Sequence, residues 1–383
     1  MMKPGDRAPI AHLVEHLQAQ GPLTFADYMD WVLYHPKQGY YSQHQQAIGA
    51  QGDFFTAVSL GPDFGELLAV QLVQLWHVLE HPDPFDVVEM GAGDGQLAAD
   101  ILEYLAKQEP DCAAMVRYRI IERAVGKRLQ QQATLQGFPV QWCDWPELAA
   151  HSLQGCCLAN ELVDAFPVHR VVVQRGELQE IYVTAQDGQL QETVGSLSTG
   201  AITSYFTDLG LDLSTYPEDY CTEVNLAALD WLQTVAAKLR QGYLLTIDYG
   251  YSSDRYYHPQ RHQGTLQAYY QHRRHNDPYI NIGQQDLTTH VNFTALEQQG
   301  ATLGLQPLGF TRQGLFLMAL GLGDRLTALS TGDYTVATVL GRRDRLHQLI
   351  DPAGLGNFGV LLQAKGLSSA QQQFPLRGLT LPE

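Results

Sequence analysis

Glu89, Gly91, Gly93 and Gly95 place one acid and three glycines in a single short run, FDVVEMGAGDGQLAADIL, from Phe85 to Leu102. Apolar Val87-Val88 leads into the acid, and beyond the glycines Leu97, Ile101 and Leu102 alternate with polar Asp100 and Glu103 at helical spacing. A strand that stops in glycines and restarts as a helix lets backbone approach a ligand closely, because no Cβ stands in the way. The turn reads Gly91-Ala92-Gly93-Asp94-Gly95-Gln96, so Gln96 stands where a dinucleotide fingerprint would carry its third glycine. Glu89 would repel a pyrophosphate but suits the ammonium of a methionine moiety. The segment therefore favours S-adenosylmethionine (SAM) over a nicotinamide dinucleotide. A glycine turn without a ligand is the third reading.

Further acids stand where strands should end. Glu122 ends the expected second strand, 117–121 (RYRII), at the position where a nucleoside ribose finds its hydroxyl acceptor. Asp144 and Trp145 could supply an acceptor and an aromatic face for adenine, although an Asp before Pro146 is equally a helix cap. Asn160, Glu161 and Asp164 follow GCCLA, and Glu161 and Asp164 share one face if the segment turns helically. Methyl transfer to a nitrogen that carries protons would need acids that orient the nucleophile and accept its proton. We therefore expect Glu161 or Asp164 to bind the acceptor, with Asn160 positioning cofactor or acceptor. Asp248 and Tyr249 end another apolar run; they are candidates for the acceptor pocket, or a turn before Gly250.

These residues need a scaffold of alternating strands and helices. Periodicity predicts helices within 10–34, broken at Gly21-Pro22 and with Thr24 as a cap, and a longer one from Asp63 toward Leu79. Strands are expected at 87–90, 117–121, 140–142, 155–159 and 242–248, with a helix near 127–134. From His169 the pattern becomes antiparallel hairpins with turns at Arg175-Gly176 and Asp187-Gly188. A helix over 223–239, with Val224 in its inward stripe, returns the chain to the core. Segments 304–310 and 358–363 supply the last two strands.

The bulk numbers limit the partners. With 41 acids against 24 Lys and Arg the formal charge is −17, which argues against non-specific binding to nucleic acid or anionic membrane. No apolar run reaches the ~20 residues that span a bilayer. Five cysteines in no metal or disulfide spacing suggest reduced thiols, and the N-terminus lacks an apolar signal, so we expect a cytoplasmic protein. His272 and His275 stand three apart with His290 further on, but no ligand set completes a tetrahedral metal site.

Several blocks in collinear order resemble the MidA family of SAM-dependent methyltransferases, which includes the mitochondrial complex I assembly methyltransferase. They are GPLTFADYMDWVLYHPKQGYYS (21–42), GDFFTAVSLGPDFGELLA (52–69), the glycine turn, ANELVDAFPVHR, LLTIDYGY and GTLQAYYQHRRHNDPYINIGQQDLTTHVNFTAL (264–296). Val58-Ser59 stands where relatives carry Pro-Glu, and Asp94 where they often carry a basic residue. The resemblance implies an α/β class I methyltransferase core, a Rossmann-like seven-stranded sheet. It implies SAM as donor, with Gly52, Asp53 and Thr56 in a lid over it, and Gln285, Asp286 and His290 in a loop that grips the substrate. It also implies a protein substrate, an arginine on a subunit of an NDH-1/complex I-type assembly; a homodimer is left open.

The expected organisation is an N-terminal helical and lid segment (1–80), a first core part (81–168), an inserted antiparallel β subdomain (169–222), the core continued (223–251), a substrate-gripping insertion (252–300) and C-terminal core strands (301–383). The competing functions are a methyltransferase for another side chain or a small molecule, a non-catalytic SAM-binding assembly factor, and a nicotinamide-dependent oxidoreductase.

Overall fold

The computed structural model describes residues 7–42, 56–271, 273–332 and 335–380. It divides the chain into two units: 1–47, 163–231 and 250–296 form one, and 48–162, 232–249 and 297–383 the other.

The second unit is built on a mixed seven-stranded sheet. Its spatial order is Gln306–Arg312, Gly359–Lys365, Leu239–Asp248, Leu153–Asn160, Phe85–Met90, Val116–Ile121 and Val140–Trp142. Gly359–Lys365 runs antiparallel to both neighbours; the other adjacent pairs are parallel. The expected α/β sheet is thus present. Parallel strands covered on both faces must be apolar throughout, and every residue of Phe85–Met90 is buried. Two acids share that strand. Asp86, at its start, accepts from Arg117 Nε (2.7 Å), Arg119 Nη1 (2.5 Å) and the Gln154 N–H (3.0 Å), which offsets its burial. Helix Asp63–Val78 crosses helix Gln96–Gln108 closely at Gly65, where an added Cβ would stand 2.6 Å from Asp100 Cβ. Asp100 is therefore buried despite its polar type, and burial pushes its carboxyl up to about 6. Helices Gln313–Leu317, Gly323–Thr331 and Val336–Ile350 separate the last two strands, and Arg325 and Arg342 reach Asp63 at 2.8 and 2.6 Å.

In the other unit, His169–Gln174, Glu177–Gln186 and Gln189–Gly195 form the expected hairpins, with positive φ at Arg175, Gly176, Asp187 and Gly188. Leu23–Thr24 adds to Glu177–Gln186, and Thr24 caps helix Phe25–Tyr34 by accepting the Asp27 N–H at 3.0 Å. The N-terminal helices, the hairpins and the late insertion pack together in this unit. Helix Ala201–Asp208 interrupts the β pattern. The helix expected over 223–239 starts only at Leu226: Cys221–Val224 is a strand on His169–Val172, and Asn225 Oδ1 accepts the Ala228 N–H, capping the helix after it. Buried Glu223 then organises the insertion, accepting from the Thr265 and Leu266 N–H groups, Thr265 Oγ1 and Tyr256 Oη. Gln267–Tyr270 pairs with Arg273–His275 and Asp286–Thr288, and Gly250–Tyr251 runs parallel to Val291–Asn292.

Among the described residues no helix is long and apolar enough to cross a membrane.

Gly155 and Gly242 sit side by side in register, with φ of +153° and +139°. A Cβ on Gly155 would fall 2.0 Å from the Asp86 carbonyl, and one on Gly242 1.9 Å from the Gly155 carbonyl. Gly155→Ala should therefore lower unfolding stability by at least about 2 kcal/mol, read from the denaturation midpoint at unchanged slope.

Candidate active site

In the sheet unit the glycine turn leaves the end of the first core strand. Gly91, Gly93 and Gly95 have φ of +69°, +55° and +88°, a left-handed series that L side chains rarely adopt. The Gly91 N–H donates to the Ile121 carbonyl (3.0 Å), and Asp94 Oδ1 accepts the N–H of Gln96, the first residue of the following helix (3.1 Å). Gln96 thus opens the helix where a dinucleotide turn would need a glycine. A Cβ on Gly91 would lie 2.7 Å from Leu162 Cδ1, so the turn is packed tightly on the loop after the fourth core strand.

Glu89 is 3% exposed, and its Oε2 accepts the Tyr118 hydroxyl at 2.7 Å. Burial raises its carboxyl to about 7, the Tyr118 hydrogen bond pulls it down, and the charges of Asp94 and Glu122 push it further up. Glu122 follows the second core strand. Its Oε1 accepts the Ala124 N–H (2.8 Å) and its Oε2 accepts Gln131 Nε2 (2.9 Å). Burial raises its carboxyl as well, opposed by those two donors and by Lys127 and Arg128.

Gln131 was not among the residues singled out from sequence. It is fully buried; its Nε2 also donates to the Gly93 carbonyl (3.2 Å), and its Oε1 accepts Trp142 Nε1 (3.0 Å). Gln130, Gln131 and Gln132 are identical in type, so only packing distinguishes the one that turns inward.

Asp144 is exposed, bound to Arg128 Nη2 (3.1 Å), and its N–H donates to Glu147 Oε2 (2.6 Å) at the start of a short helical turn. Of its two readings from sequence, this geometry is that of the cap. Trp145 is half-buried in the same turn. Asn160 ends the fourth core strand, with its Oδ1 buried and without a hydrogen-bond partner among the described residues. Glu161 has φ of +49°, and the next helical turn begins only at Val163, so Glu161 and Asp164 do not share a helical face as the spacing suggested. Asp248 accepts the N–H of Tyr249 (2.9 Å), and the Tyr249 ring packs on Phe358. Thr56 Oγ1 accepts the Ser59 N–H in a short turn (3.4 Å). Gly52 and Asp53 lie outside the described residues.

The remaining candidates belong to the other unit. Asp286 is 4% exposed and accepts the Tyr41 hydroxyl on both oxygens, at 2.9 and 2.8 Å. Asp164 is buried, and its carbonyl accepts the Thr289 N–H (2.9 Å). Burial first, then Asp286, Tyr34 and Asp164, hold the Tyr41 hydroxyl protonated; burial raises Tyr269 too, opposed by Arg274 and assisted by both acids. Two carboxylates thus stand among aromatic rings. Gln285 is buried and gives its Nε2 to the Asp277 and Pro278 carbonyls (3.2 and 3.1 Å), so its amide N–H groups hold the loop instead of facing a ligand. His290 stacks on Tyr251 with ring centroids 4.8 Å apart.

The donor set of the sheet unit fits SAM: acceptors at Glu89 and Asn160 for an ammonium, a paired acid at Glu122 for ribose hydroxyls, and a left-handed turn for close backbone approach.

Since the Tyr118 hydrogen bond lowers the Glu89 pKa, Tyr118→Phe should move it above about 7, as followed by carboxyl-carbon NMR in the empty protein. The fold prefers protonated Glu89. Its contribution to stability is greatest below the ordinary 4.5 and is lost as pH rises through about 7. In the variant that loss should shift to higher pH.

Comparison with known proteins agrees with this geometry. The model of a family of S-adenosyl-L-methionine-dependent methyltransferases (Methyltransf_28) matches residues 67–311. The crystal structure of a Burkholderia thailandensis protein bound to S-adenosyl-homocysteine superposes with a TM-score of 0.84 at 32% identity, covering 99% of this chain and 97% of that one. The Drosophila melanogaster protein arginine methyltransferase NDUFAF7 homolog is 28% identical over 94% of this chain and 86% of its own. The Mus musculus protein arginine methyltransferase NDUFAF7 is 29% identical over 95% and 86%. A glycine turn with a buried acid at the end of the first strand and a half-buried one after the second, in a sheet shared with a product-bound relative, places this chain in the MidA-like family of SAM-dependent methyltransferases.

Proposed function

We propose that this methyltransferase acts on the guanidinium of an arginine in a protein, on a subunit of an NDH-1/complex I-type assembly. The observation that carries the reading is the pair Asp164 and Asp286, buried around the Tyr41 and Tyr269 hydroxyls. A planar cation with several N–H donors suits two carboxylates walled by aromatic rings, whereas a small neutral acceptor needs neither. The names of the Drosophila and mouse relatives support an arginine acceptor, and the likeness to the MidA family supports the assembly.

Bound SAM supplies an electrophilic methyl on a sulfonium. The guanidinium nitrogen forms the new N–C bond as the S–CH3 bond breaks, S-adenosylhomocysteine leaves, and the nitrogen loses one proton. Asp164 and Asp286 hold and orient the guanidinium, and a carboxylate receives that proton. Glu89 and Asn160 take the cofactor ammonium, and Glu122 takes its ribose. Glu161, after the fourth core strand, is the second acid proposed for the acceptor.

Asp286→Asn should lower kcat/KM on an arginine peptide by about 100-fold while calorimetric SAM affinity stays unchanged. Glu161→Gln should also reduce methylation; full activity with intact SAM binding would remove it from the chemistry. An arginine of the assembly should lose its methyl group in cells lacking the protein, as read by mass spectrometry.

An ammonium on Glu89 favours the ionised carboxylate, against the burial that raises it to about 7. SAM binding near neutral pH should therefore release protons and tighten as pH rises from about 6 to 8. Calorimetry in two buffers of different ionisation heat measures the release, which Glu89→Gln should abolish.

A further inference from the structure

The insertion carries a second electrostatic feature that the proposed chemistry does not use. Arg255, Arg261, Arg273 and Arg274 fall within residues 250–275, where Asp254 is the only acid, in a chain whose acids outnumber Lys and Arg by 41 to 24 over its whole length. Among the described residues, none of the four arginines makes an ion pair.

Two of them are held in place. The Arg261 and Arg255 guanidinium carbons lie over the Tyr251 ring, 4.4 and 5.1 Å from its centroid. His290 stacks on the same ring at 6° between planes, and Arg261 Nε donates to the Arg255 carbonyl at 3.2 Å. His290 carries no charge at neutral pH, because burial and then Arg261 and Arg274 push it down to about 4. Two like charges converging on one ring repel each other, and cation–π attraction offsets only part of that. With His258 and Gln260 they line an open cavity of about 450 Å³.

We infer that the Arg255–Arg261 cavity is a docking site for the carboxylates of an acidic segment of the methyl-acceptor protein. This rests on the reading that the acceptor is a protein. An anion there relieves the repulsion between the guanidiniums. The net charge of −17 confines the attraction to a short acidic stretch and disfavours an extended polyanion such as nucleic acid.

The test is binding of a rhodamine-labelled hexaglutamate peptide to the whole protein by fluorescence anisotropy at about 0.05 M salt. Arg255→Gln/Arg261→Gln should weaken binding by about tenfold, with calorimetric SAM affinity unchanged. Arg255→Glu/Arg261→Glu should prefer hexalysine. If the neutral pair melts early, Arg255→Lys/Arg261→Lys keeps the charge and should retain binding. Equal hexaglutamate affinity in wild type and the neutral pair overturns the inference. So does full displacement of hexaglutamate by equimolar inorganic phosphate, which would make the cavity a phosphate site. None of these readouts depends on methyl transfer, so a failed arginine assignment leaves them intact.

Discussion

One buried amide holds the cofactor end of the sheet together. Gln131 donates to the Gly93 carbonyl and to Glu122 and accepts from Trp142, so it ties the glycine turn, the end of the second strand and the third strand. Left-handed glycines are conformationally permissive, and a turn made of them has no side chains of its own to define it. The amide supplies that definition from a neighbouring helix. Losing it would leave the half-buried Trp142 indole N–H without its acceptor and the half-buried Glu122 carboxylate short of one donor.

Buried carboxylates run through both units, and the donors around them differ. Asp86 is neutralised by two arginines at the start of the first core strand. Glu89, on the same strand, has among the described residues only a tyrosine hydroxyl, and burial pushes it up to about 7. The difference separates a structural acid from one suited to a ligand: a fully paired carboxylate gains little from an incoming cation, and a poorly compensated one gains a great deal. Glu223, saturated by loop donors, belongs with Asp86 in this respect.

Local chemistry was the legible part. The Arg175-Gly176 and Asp187-Gly188 turns, the Thr24 cap and the core strands stand where residue type put them, because each depends on its immediate neighbours. The helix start at Leu226 was misplaced because Val224 is apolar at helical spacing, and only strand pairing with His169 shows that it belongs to a sheet. The burial of Asp100 was not legible, because nothing in its own helix announces Gly65 from another. The i, i+3 spacing of Glu161 and Asp164 implied a shared face that a left-handed residue prevents.

By itself the sequence determined the strand–glycine–helix turn, the acids that end the strands and the order of the family's blocks. Those are properties of chain-adjacent residues: backbone freedom, periodicity and charge. Only the tertiary structure decided which of three consecutive glutamines turns inward, which acids are compensated, and that Tyr41 meets Asp286 across 245 residues of chain. Such pairings follow from packing surfaces that are remote in sequence, and spacing carries no record of them.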